Sequence, residues 1–258
     1  MTEFVYFEQI DGVGYLRFNR PKANAYNLTF MQDFAKAIEA ANVSSVNVVI
    51  VCSSSEKFFC AGADIKEFAQ NNTADNQKMV AQARLNLAAI EASDKIFIAM
   101  IAGHALGGGL EIALACDLRF AANGSYLLGL PEIKLGLIPG NGGSQRLTKV
   151  VGASRALEIL ATGDNFGVEQ AYRIGLINRL YPADELLTNT LNYAQALVKG
   201  PGLAIAATKK AVKQGAELSL ADGLALEKQL SDQLYDTQDA KEGFNAFVEK
   251  REAQFSGR

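Results

Sequence analysis

Ile96-Phe-Ile-Ala-Met-Ile101-Ala-Gly-His104-Ala-Leu-Gly107-Gly-Gly109-Leu-Glu111-Ile-Ala-Leu-Ala-Cys116 places an apolar strand, a turn of three glycines and an apolar helix end to end. Six apolar residues in a row suit a strand covered on both faces, and Leu110 to Cys116 suits a helix that is buried all round. N–H groups at the head of such a helix have no partner within it, and glycines leave them open to a ligand. A helix N-terminus also favours developing negative charge. Two glutamates stand beside backbone-exposing turns. Glu111 follows the glycine triplet, and Glu132 follows Gly129-Leu-Pro131 and leads through Ile-Lys-Leu-Gly-Leu-Ile-Pro to Gly140. Oxyanion stabilisation next to two carboxyls is acid/base chemistry on a carbonyl compound. Either motif alone has a plainer account, as a tight turn or as a glutamate in a structural network.

Outward from this segment, Phe58-Phe-Cys-Ala61-Gly-Ala63-Asp-Ile-Lys66 comes directly after the strand-like run Val48-Val-Ile-Val-Cys52. It reads as a loop at the carboxyl end of a strand, where open α/β sheets bind ligands. Val13-Gly-Tyr-Leu-Arg-Phe18 alternates as a strand and Pro21 ends it. Asn27 caps a helix through about Ala41, with Phe30, Phe34, Ala37, Ile38 and Ala41 on one face. The Asn- and Gln-rich stretch Ala69 to Gln77 reads as a mobile surface segment, and a helix from about Asp75 to Glu91 leads into the Ile96 strand. Strands alternating with helices indicate a parallel α/β core. From about Ala183 the pattern is wholly helical, punctuated by Gly200-Pro-Gly202, with runs around Ala204 to Gln214, Leu220 to Tyr235 and Lys241 to Gln254.

A chain of 258 residues can bury roughly three quarters of its unfolded surface in one core, so no staple is required. A net charge of -3 argues against nucleic acid as the main partner. Met1-Thr-Glu-Phe4 lacks the basic and apolar regions of a leader, and no apolar run nears the ~18 residues of a membrane span. Cys52, Cys60 and Cys116 are an odd number without CxxC spacing, which predicts reduced thiols, no zinc site and a cytoplasmic protein. Cys60 would need a base to act as a nucleophile, and His104 is the one histidine in the chain; His104 itself is expected to pack or hydrogen-bond locally.

The three glycine- and glutamate-bearing segments together resemble the crotonase superfamily, most closely its enoyl-CoA hydratases. The resemblance also takes in Phe18-Asn-Arg-Pro-Lys22, Gly142-Gly-Ser-Gln-Arg-Leu147, Ala161-Thr-Gly-Asp164 with Ala171 to Gly175, and Phe247-Val-Glu-Lys-Arg251. It implies an α/β fold, a spiral of ββα units over residues 1–199 that carries the acyl-CoA site. A C-terminal all-helical trimerisation region would occupy 200–258. The backbone N–H groups of Ala63 and Gly108 match the oxyanion hole for the thioester carbonyl. Glu111 matches the carboxylate that helps activate water for attack at C3, and Glu132 the one that gives a proton to C2. Coenzyme A would lie along Ala61, Ala63, Asp64, Ile65 and Lys66, with Lys22, Lys66 and Lys250 as candidates for its phosphates and Gly140 in the loop after Glu132.

The implied reaction is syn hydration of a trans-2-enoyl-CoA to a 3-hydroxyacyl-CoA in fatty acid or related acyl-CoA catabolism. Coenzyme A enters as part of the substrate, without a metal or redox cofactor. The implied assembly is a homotrimer or a dimer of trimers, with no nucleic acid or membrane partner. Two alternatives stay open: an enoyl-CoA isomerase, which typically lacks the Glu111 equivalent, and a non-catalytic RNA-binding or scaffolding member. The chain departs from the pattern twice. The hydratases usually read Asn-Arg-Pro-x-x-x-Asn-Ala-Leu where this chain has Asn19-Arg-Pro-Lys-Ala-Asn-Ala-Tyr-Asn27, a difference that falls on the pocket around Ala23 to Tyr26. The interval from Glu111 to Glu132 is also one residue longer than is typical, within Ala121 to Leu128.

Overall fold

The computed structural model of the protein describes residues 3–257; Met1 and Thr2, which head the segment read above for a leader, lie outside them. A hairpin of β1 (Val5–Ile10) and β2 (Val13–Phe18) leads to α1 (Leu28–Val43), β3 (Val48–Ser53) and β4 (Phe58–Cys60). Next come α2 (Ile65–Gln70) and α3 (Thr73–Ala92), then β5 (Ile96–Ile101), β6 (His104–Leu106) and α4 (Gly108–Ala115). β7 (Leu118–Ala122) and β8 (Leu127–Gly129) run into a 3-10 turn at Pro131–Leu135 and the helices α5 (Gly143–Val151) and α6 (Ala153–Thr162). After β9 (Phe166–Gly167), α7 (Val168–Arg173) and β10 (Arg179–Tyr181) the chain is helical. It continues through α8 (Leu186–Val198), α9 (Gly202–Gly215), α10 (Leu220–Asp232) and α11 (Gln238–Glu249).

The pairs β3-β4, β5-β6 and β7-β8 each put one strand into each of two sheets before helices return the chain. The first sheet runs β1-β2-β3-β5-β7-β10 and the second β4-β6-β8-β9, so every turn advances both sheets by one strand. That is the ββα spiral the family resemblance implies. Strands from β2 to β10 in the first sheet are parallel, with Val49 opposite both Gly14 and Phe97 and Met100 opposite Phe120. Helices cover such a sheet, which is why β3 and β5 are apolar runs without alternation. Val48 to Cys52 are buried, as are Phe97, Ile98, Ala99 and Ile101.

Helix α1 forms as its sequence dictates. The Asn27 side chain accepts a hydrogen bond from the Phe30 N–H at 3.0 Å, and Phe30, Phe34, Ala37, Ile38 and Ala41 make the buried face. Phe18 of β2 meets Phe30, Phe34 and Phe59 with ring centroids 5.3, 5.4 and 5.4 Å away. This cluster joins α1, the first sheet and the second, at ~1.5–3 kcal/mol for each buried phenylalanine.

Two local readings change. Phe58 to Cys60 is not loop but strand β4, parallel to β6, so the segment Ala61 to Lys66 is anchored by the second sheet. Ala69 to Gln77, expected as a mobile surface segment, contains the end of α2 and the start of α3. Its polar residues act as caps: the Asn72 side chain accepts from the Asp75 N–H at 3.0 Å.

Helix α9 is fastened to the core. Lys209 is buried, pairs with Asp117 at 2.8 Å, and donates to the Ile90 and Lys95 carbonyls at 3.0 and 2.7 Å. Asp117 in turn accepts from the Phe97 N–H at 2.8 Å. Further on, Leu224, Phe244 and Phe247 are exposed, Phe247 by 85%. Among the described residues no helix is long and apolar enough to cross a membrane.

Candidate active site

Parallel pairing of β4 with β6 sets the turns that leave them side by side. Tyr26 forms a bridge with Ala63: the Tyr26 N–H donates to the Gly62 carbonyl and the Asp64 N–H to the Tyr26 carbonyl, each at 2.8 Å. This pairing uses the residues on either side of Ala63, and among the described residues the Ala63 N–H has no acceptor. Gly108 opens α4, so its N–H has no intrahelical partner either. A Cβ on Gly62 would stand 3.2 Å from the Gly108 nitrogen, which places the two turns in contact. Two of the glycines are obligatory. Gly107 has φ 52°, and a Cβ on Gly108 would fall 1.8 Å from the Tyr26 hydroxyl oxygen.

Glu111 lies in the first turn of α4 and is 1% exposed. Its Oε1 accepts from the Asn141 N–H at 2.8 Å and the Gly143 N–H at 2.7 Å, and its Oε2 from Asn141 Nδ2 at 2.8 Å. Burial raises this carboxyl above its ordinary value, and the three donors offset part of the rise. Gly143 is the first residue of α5 and its cap, Gly142, has no side chain to offer, so Glu111 caps α5 from another part of the chain. Donors and helix end both favour the carboxylate.

Glu132 sits in the 3-10 turn, half-buried, with Oε1 3.1 Å from where a Cβ on Gly107 would stand. Its Oε2 is buried and has no partner among the described residues. Burial pushes this carboxyl up to about 7, and repulsion from Glu111 adds to the rise. One carboxyl is therefore surrounded by donors and the other has none on its buried oxygen. That asymmetry sets up a base and an acid around neutral pH.

The loop between them is clamped. Arg146 makes two bonds to Glu91, at 2.8 and 2.6 Å, and donates to the Asn141 carbonyl. Arg84 of α3 donates to the Gly140 carbonyl at 2.7 Å. Asn141 Nδ2 also donates to the Tyr26 hydroxyl at 3.0 Å.

The structure thus brings together Ala63, Gly108, Glu111 and Glu132, with Gly140 on the adjoining loop. Asp64 caps α2 and pairs with Arg20 at 3.0 Å, and Ala61 donates to the Ala23 carbonyl at 3.0 Å. Lys22, Ile65 and Lys66 are exposed at this edge. Lys250 is elsewhere, ending α11 in a left-handed conformation, and among the described residues no hydrogen bond or ion pair links it to the other site residues. Cys60 donates its thiol to the Asn24 carbonyl at 3.1 Å and burial pushes it up to about 12, so it is an inert core residue. His104 packs on Phe58 and accepts from the Leu127 N–H at 3.1 Å. Sequence reasoning missed Tyr26, Asn141 and Arg146 as parts of the site. The departure from the family pattern at Tyr26 was the available signal.

A two-sheet spiral holding two carboxyls beside open N–H groups defines an acid/base site for a carbonyl compound. A model of the enoyl-CoA hydratase/isomerase family matches residues 8–258. A probable enoyl-CoA hydratase from Rhizobium meliloti is 40% identical over 255 residues, covering 95% of each chain. A crotonyl-CoA hydratase from Syntrophomonas wolfei is 37% identical over 256 residues, covering 98% of each. The crystal structure of an enoyl-CoA hydratase from Geobacillus kaustophilus matches with TM-score 0.97 and 36% identity, over 100% of this chain and 98% of that one. The chain belongs to the enoyl-CoA hydratase/isomerase family.

Proposed function

We propose that the protein catalyses reversible syn addition of water to a trans-2-enoyl-CoA, giving a 3-hydroxyacyl-CoA in acyl-CoA catabolism. The observation that carries this reading is the pair of glutamates in opposed environments beside the Ala63 and Gly108 N–H groups. The two N–H groups hold the thioester carbonyl oxygen, whose charge grows as the C2=C3 π electrons move onto it, and fixed donors in a dry site stabilise that charge better than water does. Water forms its bond to C3 as its proton passes to Glu111. The enolate then collapses and C2 takes the proton of Glu132. Exchange with solvent returns both carboxyls to their starting states. The chain's own groups and the thioester suffice for every step, with no further cofactor.

Coenzyme A lies along Ala61 to Lys66, with Lys22 and Lys66 toward its phosphates. Lys250, at the end of α11, is a further candidate for a phosphate, and the assembly is a trimer or dimer of trimers. Region 200–258 builds that assembly, covering Leu224, Phe244 and Phe247. A cytoplasmic location completes the reading.

The test is crotonyl-CoA hydration together with solvent exchange of the C2 proton of butyryl-CoA. Glu111→Gln and Glu132→Gln should each lower the hydration kcat by about 10²–10⁴-fold. Exchange should vanish in Glu132→Gln and persist in part in Glu111→Gln. If both variants hydrate within a few fold of wild type the reading fails, and if Glu111 alone is dispensable the isomerase takes its place.

A further inference from the structure

With two residues instead of three between Pro21 and Asn24-Ala25, the chain puts Tyr26 where the family's hydratases usually read Leu, and its phenol reaches the site. Its oxygen accepts from Asn141 Nδ2 at 3.0 Å, and the same NH2 group donates to Glu111 Oε2 at 2.8 Å. The two N–H bonds of a planar amide diverge by about 120°, which sets the two acceptor oxygens ~5 Å apart. One further oxygen atom can bridge that span with two hydrogen bonds of ~2.8 Å. The oxygen that Glu111 would activate is therefore within reach of the Tyr26 hydroxyl.

The Tyr26 O–H has no acceptor among the described residues, because its one bond in the structure is the one it accepts. Asn141 Oδ1 and Glu132 Oε2 are also buried without partners. Buried polar atoms are rarely left unpaired, and the groups that carry them meet here: the Tyr26 oxygen lies against Gly108, the Glu132 carboxyl against Gly107, and Asn141 bonds both Tyr26 and Glu111. Packing alone does not explain the hydroxyl, since an apolar side chain fills the same volume without a group to satisfy. Burial, with repulsion from Glu111 adding to it, holds the phenol well above its ordinary value, so it keeps its proton at any working pH.

We propose that Tyr26 is a further catalytic residue: its O–H donates to the oxygen at C3, which is the attacking water in hydration and the 3-hydroxyl in the reverse direction, and Asn141 positions it. This rests on the hydration reading above. No proton leaves Tyr26 in the cycle; the water's proton still passes to Glu111. What the phenol supplies is placement, a donor that with the Glu111 acceptor fixes the oxygen over C3. The site is thereby built to recognise a 3-hydroxyacyl-CoA over the saturated acyl-CoA, because only the former accepts from Tyr26.

The experiment compares binding of 3-hydroxybutyryl-CoA and butyryl-CoA by calorimetry in Glu132→Gln, which slows turnover, with and without Tyr26→Phe or Tyr26→Leu. The preference for the 3-hydroxy ligand should fall about tenfold in both double variants, the loss of one hydrogen bond in a dry site, with butyryl-CoA affinity held within about twofold. In the otherwise wild-type chain, Tyr26→Phe should lower crotonyl-CoA hydration about 10–100-fold yet leave C2 proton exchange of butyryl-CoA nearly intact. A purely structural Tyr26 would move exchange and hydration together, through Gly108. An unchanged ligand preference, or equal losses in hydration and exchange, overturns the proposal. A wild-type chain that fails to hydrate crotonyl-CoA but shows the preference would instead count against the hydration reading alone.

Discussion

Glu132→Gln should make the protein more stable at alkaline pH while it ends turnover. The folded chain keeps the Glu132 proton up to about 7, against an ordinary value of 4.5, because the carboxyl is buried and repelled by Glu111. A group whose folded value is raised contributes its full stability below the unfolded value and loses it as pH rises through the folded one. For Glu132 the loss therefore falls between about pH 4.5 and pH 7 and is complete above that. At ~1.4 kcal/mol per tenfold change the interval corresponds to ~3 kcal/mol, and solvent reaching part of the half-buried residue reduces it to ~1–2 kcal/mol. Glutamine carries no charge and escapes the loss. In a chain of this size ~1 kcal/mol moves Tm by about 2–4 °C, so the Tm of the variant relative to wild type should climb by ~3–6 °C between pH 5 and pH 8.5. Differential scanning calorimetry of both proteins across that range reads the difference directly, and effects of other titrating groups cancel in it. A difference that stays flat refutes the burial account. One that falls with pH would mean that ionised Glu132 makes a stabilising contact.

On the proposed mechanism the same titration shapes the kinetics: hydration of crotonyl-CoA uses protonated Glu132 and should decline as pH rises through about 7, while dehydration of 3-hydroxybutyryl-CoA should rise over the same interval, in initial-rate profiles of free enzyme and ligand. Gly108→Ala drives a Cβ to 1.8 Å from the Tyr26 oxygen; it should lower kcat at least about 100-fold and destabilise by ~1–3 kcal/mol in denaturant titration, and relief of the stability loss by Tyr26→Leu would locate the clash. Lys209→Ala leaves buried Asp117 with Lys213, 3.5 Å away, as its remaining ion-pair partner among the described residues; stability should fall by ~3 kcal/mol, with Asp117→Asn in the same chain recovering much of it.

Legibility in the sequence followed the length of each element and the reach of its contacts. β3 and β5 are six residues each and, Ser53 at the end of β3 apart, apolar, so burial on both faces is written in their composition. Asn27 announces α1 because a cap and its N–H partner lie three residues apart. The second sheet was not visible, since β4, β6 and β8 have three residues each, too few for a period. Asn72 misled for a related reason: a polar stretch reads as loop until one asks which N–H its side chains could accept from. In the site, the glycines and the two glutamates stand in local motifs and were found. Tyr26 and Asn141 were not, because their contact joins residues 115 positions apart and neither local context hints at the other. The family resemblance singled out the two glutamates, but Tyr26 and Asn141 joined them only once the spiral had folded them together.

On the proposed mechanism Glu111 holds two posts, as the group facing C3 and as the cap of α5. Each hydration event then puts a proton on it, and a neutral carboxyl is a weaker acceptor for the Asn141 and Gly143 N–H groups than a carboxylate. The grip on the head of α5 then slackens by ~1 kcal/mol and tightens again when the proton leaves. Chemistry at the substrate is in this way felt by a nine-residue helix and by the Arg146–Glu91 clamp that ties it to α3, so the loop from Gly140 to Gly143 is at its loosest while product is still in the site.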